Sequence, residues 1–501
     1  MSSTRASGSG AWLAAEGLAT ASASFLAMIV TARLIGPDAV GLAALALAFV
    51  QFAANCVAAL FQDALVQRPE LTPRHRAAAF WAALLVGGLG YALVLLAAPW
   101  LARMLDQPEV AGLMRLVAPA VPCLAITGYV SGLRLRAMAF RAVALRNAAG
   151  TMTGAATGIV LATQGFGAQA PVLQVLVACV LTTVLMLADR EAWPRVGPGL
   201  NEGLEILAYG GVRAAHQAIY QGYYRVFVLA AGTQLSTAAL GQLHLAFRLV
   251  DQTRDLLHGV AWRFGLARLS PLQHDHAAQA AAASGIARAL GLVAFPLFAG
   301  LAVTAPEVVQ TLLGQAFLPM APPLAILAAQ ALLQFSRMHV GLLNAARGWP
   351  RLNMWPVAAT GVVVVIATLL VPMRSAADAA LLWSCAWIVT LPVGIELARR
   401  FGRVSLRDQV LPSLRPFLLA LGMAGGLLLL RPLLPADVLP TDVQPAAWHP
   451  AQRLLVLVGV GALMYLPASW FLARDAVRAL LGPPRQAAPI PPPEATHADR
   501  G

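Results

Sequence analysis

From about residue 11 to residue 473 the chain is one apolar run after another, each long enough to cross a bilayer. A spanning helix needs about 20 mostly apolar residues. Fourteen stretches meet that length: about 11–35, 40–66, 78–102, 110–132, 142–163, 170–188, 205–231, 236–262, 284–305, 320–345, 353–373, 377–398, 413–432 and 452–473. Backbone polar groups inside lipid must be satisfied within the segment, which demands helices rather than open strands. The expectation is an all-α polytopic membrane protein with about fourteen transmembrane helices. Only 11% of residues are charged and 59% are hydrophobic, whereas a soluble domain carries about 25% charged residues. That deficit excludes a disordered chain and, with a mean hydropathy of +0.71, a soluble enzyme. The stretch 433–451 is the longest loop on its side. The Pro-rich tail 482–501 is expected to be disordered and cytoplasmic. Neither has the length of a catalytic domain.

The 35 basic residues are all Arg, and they set an orientation. With the N-terminus inside, 24 fall in loops on one side and five lie within spans. The other six, Arg33, Arg103, Arg115, Arg374, Arg431 and Arg453, fall on the far side. Cytoplasmic loops carry the excess of basic residues, so both termini are expected in the cytoplasm of a bacterial cell with the protein in its inner membrane. The first run reaches Ile35, longer than a signal-peptide core, and reads as a retained span. No dense basic cluster with interleaved aromatics occurs, so the net charge of +13 does not point to nucleic acid. Cys56, Cys123, Cys179 and Cys385 lie in apolar runs at unrelated spacings and read as buried small residues.

A faint repeat runs through the chain at an offset of 200: Gly41-Leu42, Ala46 and Val66-Gln67-Arg68 return as Gly241-Gln242, Ala246 and Leu266-Ala267-Arg268. The offset equals six spans. It suggests two six-helix halves, 1–200 and 201–400, followed by two extra helices in 401–481. Parallel repeats of this kind place a transporter's substrate between the halves.

The first third carries a resemblance. Arg33-Leu34-Ile35-Gly36-Pro37-Asp38, then Gly41-Leu42, resembles the end of the first helix in polysaccharide flippases. Ala64-Leu65-Val66-Gln67-Arg68, Leu71-Thr72 and Ala79-Phe80-Trp81 resemble the next stretch, and Arg136 with Phe140-Arg141 the loop after the fourth helix. The family is that of the Wzx-type oligosaccharide flippases, often labelled lipopolysaccharide biosynthesis proteins, in the MOP superfamily that includes MATE exporters. The resemblance implies two lobes around a central cavity and movement of undecaprenyl-diphosphate-linked sugar repeats. It supplies no functional residues for this chain.

Those have to come from charges at membrane depth, which are costly and face a bundle interior. In 205–231, Arg213, His216, Gln217, Tyr220, Gln221, Tyr223, Tyr224 and Arg225 cover an arc of about 200° at 100° per residue. They line a hydrated cavity, or the helix is interfacial. In 236–262, His244, Arg248, Asp251, Asp255 and His258 form one stripe, with Arg254 to the side. That stripe is a salt-bridge ladder, Arg248 with Asp251 and Asp251 with Arg254, or a proton-titratable path, and the two are compatible. In 320–345, Gln330, Gln334, Arg337, Gly341 and Asn344 repeat the spacing, and Arg337 has no acid in its own span. Glu16, Gln51, Asn55, Gln62 and Asp63 are weaker candidates, with Asp63 expected to pair with arginines. The substrate-binding set is therefore Arg213, His216, Tyr220, Gln221, Arg225, Arg248 and Arg337. The proton-coupling set is Asp251, Asp255, His258 and Glu16.

Guanidinium matches phosphate oxygens in bidentate geometry, and Tyr and Gln suit sugar hydroxyls and ring faces. The expected function is thus a flippase for lipid-diphosphate-linked oligosaccharide, working beside a polysaccharide polymerase and export machinery, with no cofactor. Two alternatives remain open: a MATE-like proton-coupled drug exporter, and a membrane polymerase or glycosyltransferase of the same pathway. No GxxxxGK[ST], HExxH or CxxC motif is present, and His274-Asp275-His276 sits in a loop without spaced partners. No enzyme activity is expected.

Overall fold

The computed structural model describes residues 3–68, 70–197, 199–273, 275–434 and 449–472, without the side chains of 3–19, Glu191, Arg213, His216, Tyr220, Pro350, Phe471 and Leu472. The tail 482–501 and most of the 433–451 loop lie outside the described residues. Every regular element among the described residues is a helix, as the apolar pattern requires. In chain order these are α1 (Ser3–Gln67), α2 (Pro73–Met104), α3 (Pro108–Val117), α4 (Ala120–Arg136), α5 (Phe140–Thr163), α6 (Gln169–Leu187), α7 (Leu200–Gly232) and α8 (Thr237–Leu269). There follow α9 (His276–Val303), α10 (Ala305–Leu313), α11 (Ala321–Ser336), α12 (Met338–Ala346), α13 (Met354–Leu370), α14 (Ala376–Arg400), α15 (Leu406–Leu430) and α16 (Pro450–Leu472).

Helix α1 is two limbs joined at Gly36, where φ is +81°. Glycine takes that conformation without steric cost, and Pro37 then starts the second limb with its φ already helical. Ten stretches of the described residues are long and apolar enough to cross a membrane. The separate first limb of α1 and the more polar α5, α7 and α8 bring the membrane-length helices to fourteen, the expected number. Helix α5 falls short because it carries Arg141, Arg146 and Asn147 and because Gly150, Gly154 and Gly158 replace larger apolar residues. They let its backbone approach α6, whose Ala178 O stands 2.7 Å from where a Cβ on Gly150 would lie.

The bilayer's dimensions are written on α2. Trp81, Leu85, Leu89, Leu93, Leu96 and Trp100 form an exposed stripe at helical spacing. The two tryptophans stand about 28 Å apart at 1.5 Å per residue, close to the hydrocarbon thickness of about 30 Å. Indole rings at the two ends of a lipid-facing stripe are the usual interfacial anchors.

Element order repeats along the chain. Long α2, short α3 and long α4 are matched by long α9, short α10 and the α11–α12 pair, and α5–α6 by α13–α14. The second limb of α1 and α8 cross at their arginine-poor ends. A Cβ on Gly41 would overlap Thr237 O, and one on Gly241 would overlap Pro37 O. Thr237 Oγ1 donates to Asp38 Oδ1 at 2.6 Å beside the crossing.

Helix α7, expected to open the second half, packs on elements of both expected halves. Its start is built into the first: Ile206 is buried with Phe61, Leu65 and Tyr129. Glu205 pairs with Arg68 and lies 3.5 Å from His75, Tyr209 bonds Gln67, and Gly210 sits against Leu60 O. Its end is built into the second half, with Phe227 in the core and Tyr223 on Gly361 of α13.

Candidate functional site

Between its two anchors α7 presents two faces. Val212, Ile219 and Val226 are exposed apolar residues on one side. Gln217, Gln221 and Arg225 recur every four residues on the other. There a cavity of about 310 Å³ opens between α7 and the second limb of α1, lined by Asn55, Ala58, Ala59, Gln62, Asp63, Gln217 and Gln221. Gln221, expected as a substrate residue, is in it. Asn55, Gln62 and Asp63, expected as lesser candidates, are in it too. Asp63 has an interaction of its own.

One turn beyond Gln221, Arg225 lies over the Tyr224 ring at 5.4 Å and within electrostatic reach of Arg248 on α8. Its Nε is buried without a hydrogen-bond partner. Arg248 is exposed on the α8 stripe and makes no ion pair among the described residues. The ladder expected on α8 is half formed. Arg254 bonds Asp251 at 2.8 Å and Asp255 at 3.2 Å, so a single guanidinium takes both acids and the expected Arg248–Asp251 pair does not form. Arg225 and Arg248 lie within electrostatic reach of each other, and Arg248 also of Asp251, but neither arginine forms an ion pair among the described residues. His258, exposed on the same stripe, stacks on Trp262 at 5.4 Å.

Other expected residues lie elsewhere. Arg337 occupies the break between α11 and α12. It donates to Leu391 O at 3.2 Å and Gln409 Oε1 at 3.0 Å, inside the packing of α11, α14 and α15. Its missing counter-charge is replaced by neutral oxygen acceptors from distant helices. Tyr223 and Tyr224 were expected on the polar arc, but their rings are packed in an aromatic cluster. Tyr223 stacks on Trp383 at 5.5 Å, and Tyr224 meets Phe247 and Trp383 edge-on. A tyrosine ring is large and apolar, and burial of the ring outweighs the hydroxyl's preference for water. The side chains of Glu16, Arg213, His216 and Tyr220 lie outside the described residues. No group of three or more His, Cys, Asp or Glu among the described residues could hold a metal.

One charged cluster was not anticipated. Glu307 of α10, only 3% exposed, bonds Arg431 at 3.1 Å and lies 3.6 Å from Arg453. These are two of the six arginines on the arginine-poor side, and they are held by a buried acid that ties α15 and α16 to α10. The sequence signal was faint: a lone Glu in the short gap between two apolar spans.

The described residues form a bundle of membrane-length helices with a polar cavity between the second limb of α1 and α7. Residues 30–322, more than half of the chain, match the family described as polysaccharide biosynthesis protein. The chain belongs to that family. It is 31% identical over 188 residues to the succinoglycan biosynthesis transport protein ExoT of Rhizobium meliloti (strain 1021); the match covers 37% of this chain and spans 37% of that relative's own length. The lipid II flippase MurJ in an inward closed conformation superposes with a TM-score of 0.70 at 13% identity, covering 92% of this chain and all of that one. An inward-facing multidrug resistance MATE family transporter gives a TM-score of 0.60 at 16% identity, over 77% of this chain and 96% of that one. At such identities the two likenesses concern the fold.

Proposed function

We propose that the protein flips undecaprenyl-diphosphate-linked oligosaccharide across the bacterial inner membrane for surface polysaccharide assembly. Its two halves alternate access to the cavity, with the arginine-rich loops and both termini on the cytoplasmic side. The observation that carries this reading is the pair Arg225 and Arg248. Arg254 bonds both nearby acids, and Arg225 and Arg248, like charges within electrostatic reach of each other, make no ion pair among the described residues. A dianionic diphosphate relieves their repulsion and satisfies both in bidentate geometry. The lipid tail stays in the bilayer, and the sugars extend toward the cytoplasmic mouth. Arg213, His216 and Tyr220 share the α7 stretch next to Gln217 and Gln221 and complete the proposed substrate set. Asp251, Asp255, His258 and Glu16 are the proposed route of proton coupling. A polymerase and export machinery would act on the product.

The test is translocation of a fluorescent undecaprenyl-diphosphate oligosaccharide in proteoliposomes. Wild type should transport it, and Arg225→Ala or Arg248→Ala should each lose about tenfold or more in apparent affinity, the scale of one charged hydrogen-bonding contact. Wild type that leaves this lipid in place and instead moves an organic cation down a proton gradient would refute the reading in favour of a drug exporter.

A further inference from the structure

At the arginine-rich ends of the helices, the arginines around α4 and α6 are satisfied inside the protein. Arg134 pairs with Asp189, and Arg146 lies 3.6 Å from the same carboxylate. Arg136 donates to Leu65 O and Arg68 O, and Arg68 pairs with Glu205. The links that follow α12 and α14 are different. Arg351 on the first link and Arg403 on the second are exposed, and neither side chain makes a hydrogen bond or ion pair among the described residues. Between them in the packing, Arg399 and Arg400 share a single carboxylate, Glu396.

The fit of α13 on α14 brings these arginines to one place. Thr360 Oγ1 stands 2.7 Å from Thr390 Oγ1, a Cβ on Gly394 would lie 3.3 Å from Pro356 Cγ, and Arg347 donates to Gly402 O. The two helices run antiparallel, so each step back along α13 is a step forward along α14. That register sets Arg351 level with Arg399, and Trp349 level with Phe401. Trp349, Trp355 and Phe401 are all exposed. They end spans whose outer sides carry exposed Val362 and Ile366 on α13 and Leu411 and Leu418 on α15. Aromatic rings at the end of a lipid-facing span mark the bilayer surface. Four arginines against one acid are therefore held at the depth of the lipid headgroups.

A soluble acidic partner would call for the charges alone and leave the exposed aromatics unexplained. A phospholipid calls for both. Its phosphate pairs with guanidinium in bidentate geometry, and its chains lie along the apolar sides of the spans. Basic pockets between transmembrane helices on the cytoplasmic side bind cardiolipin and similar headgroups. The positive excess here is more than one phosphate neutralises, and it is spread over two links. We infer that the ends of α13 and α14 form a binding site for cardiolipin, a phospholipid with two phosphates joined through glycerol. Arg351 and Arg403, the two arginines without partners, each take one phosphate. The site concerns the lipid around the protein, so it stands or falls apart from the identity of the cargo.

Delipidated protein in detergent, titrated with cardiolipin, tests this. Binding is read by native mass spectrometry and by the rise in the thermal unfolding midpoint. Wild type should bind cardiolipin about tenfold more tightly than phosphatidylglycerol at equal phosphate, and Arg351→Gln with Arg403→Gln should erase that advantage, the scale of one charged hydrogen-bonding contact. The lipid-free midpoint of this variant should match wild type, as it usually does for exposed substitutions. Arg74→Gln with Arg195→Gln removes two exposed arginines of the first half and should leave cardiolipin binding unchanged. Equal affinity of wild type for the two lipids would overturn the site. So would an equal loss in both double variants, because the lipid would then answer to charge anywhere on this side. Undiminished cardiolipin binding by Arg351→Gln with Arg403→Gln would overturn it as well.

Discussion

Gly41 and Gly241, 200 positions apart, pack backbone on backbone where the second limb of α1 crosses α8. The contact is reciprocal: each glycine leaves room for a carbonyl four residues earlier on the other helix, Thr237 for Gly41 and Pro37 for Gly241. The sequence repeat is thus a spatial one, since the matched positions meet each other. The crossing holds the arginine-poor ends of the two helices together.

Gly241→Val should disrupt that closure, since overpacking at a tight contact costs about 1–3 kcal/mol. In a chain lacking Cys56, Cys123, Cys179 and Cys385, cysteines placed at Asp38 and Thr237 should form a disulfide readily. The same pair in a Gly241→Val background should do so much less. Equal yields would show that the crossing tolerates a side chain.

Arg254 bonds Asp251 at 2.8 Å and Asp255 at 3.2 Å, and the two acids are part of the proposed route of proton coupling. Protonation of either acid would loosen Arg254, and an inward proton gradient should therefore speed transport by wild type. Asp251→Asn combined with Asp255→Asn should leave transport insensitive to that gradient. Persisting acceleration would remove these carboxylates from any coupling role.

Glu307→Gln should leave Arg431 and Arg453 without their shared counter-charge. Removing one partner of a buried pair costs about 3–5 kcal/mol, and the lower end is expected here because Arg431 is a third exposed. The readout is the thermal unfolding midpoint in detergent. An unchanged midpoint would mean that water already serves these arginines.

Arg337 and Arg248 should separate cleanly. Arg337→Ala leaves the Gln409 carbonyl and Leu391 O without their donor and should lower thermal stability, with diphosphate competition unchanged. Arg248→Ala should do the reverse, leaving stability within about 0.5 kcal/mol as an exposed substitution usually does while weakening competition.

Much of this was legible in the sequence. The fourteen spans followed from apolar run length, and the break at Gly36 from the gap between the runs 11–35 and 40–66. The α8 stripe followed from spacing alone. Partner choice was not legible, because it depends on residues far along the chain. Arg337 finds Gln409, Glu307 finds Arg431, and Tyr223 finds Trp383 only once the bundle has formed. The polar arc on α7 was therefore read too widely. The glutamines faced water, but the tyrosines, whose rings are mostly apolar, served packing instead.

The double attachment of α7 bears on how work is done by this molecule. The helix is clamped at Glu205 and Tyr209 by one half and at Tyr223 and Phe227 by the other, and Gln217 and Gln221 lie on the stretch between the clamps, with Arg225 at its far edge. On the proposed function, a rotation of one half against the other would strain that stretch first. The residues proposed to grip cargo would then also be the spring between the halves, so that a change in grip and a change in posture would be one mechanical event.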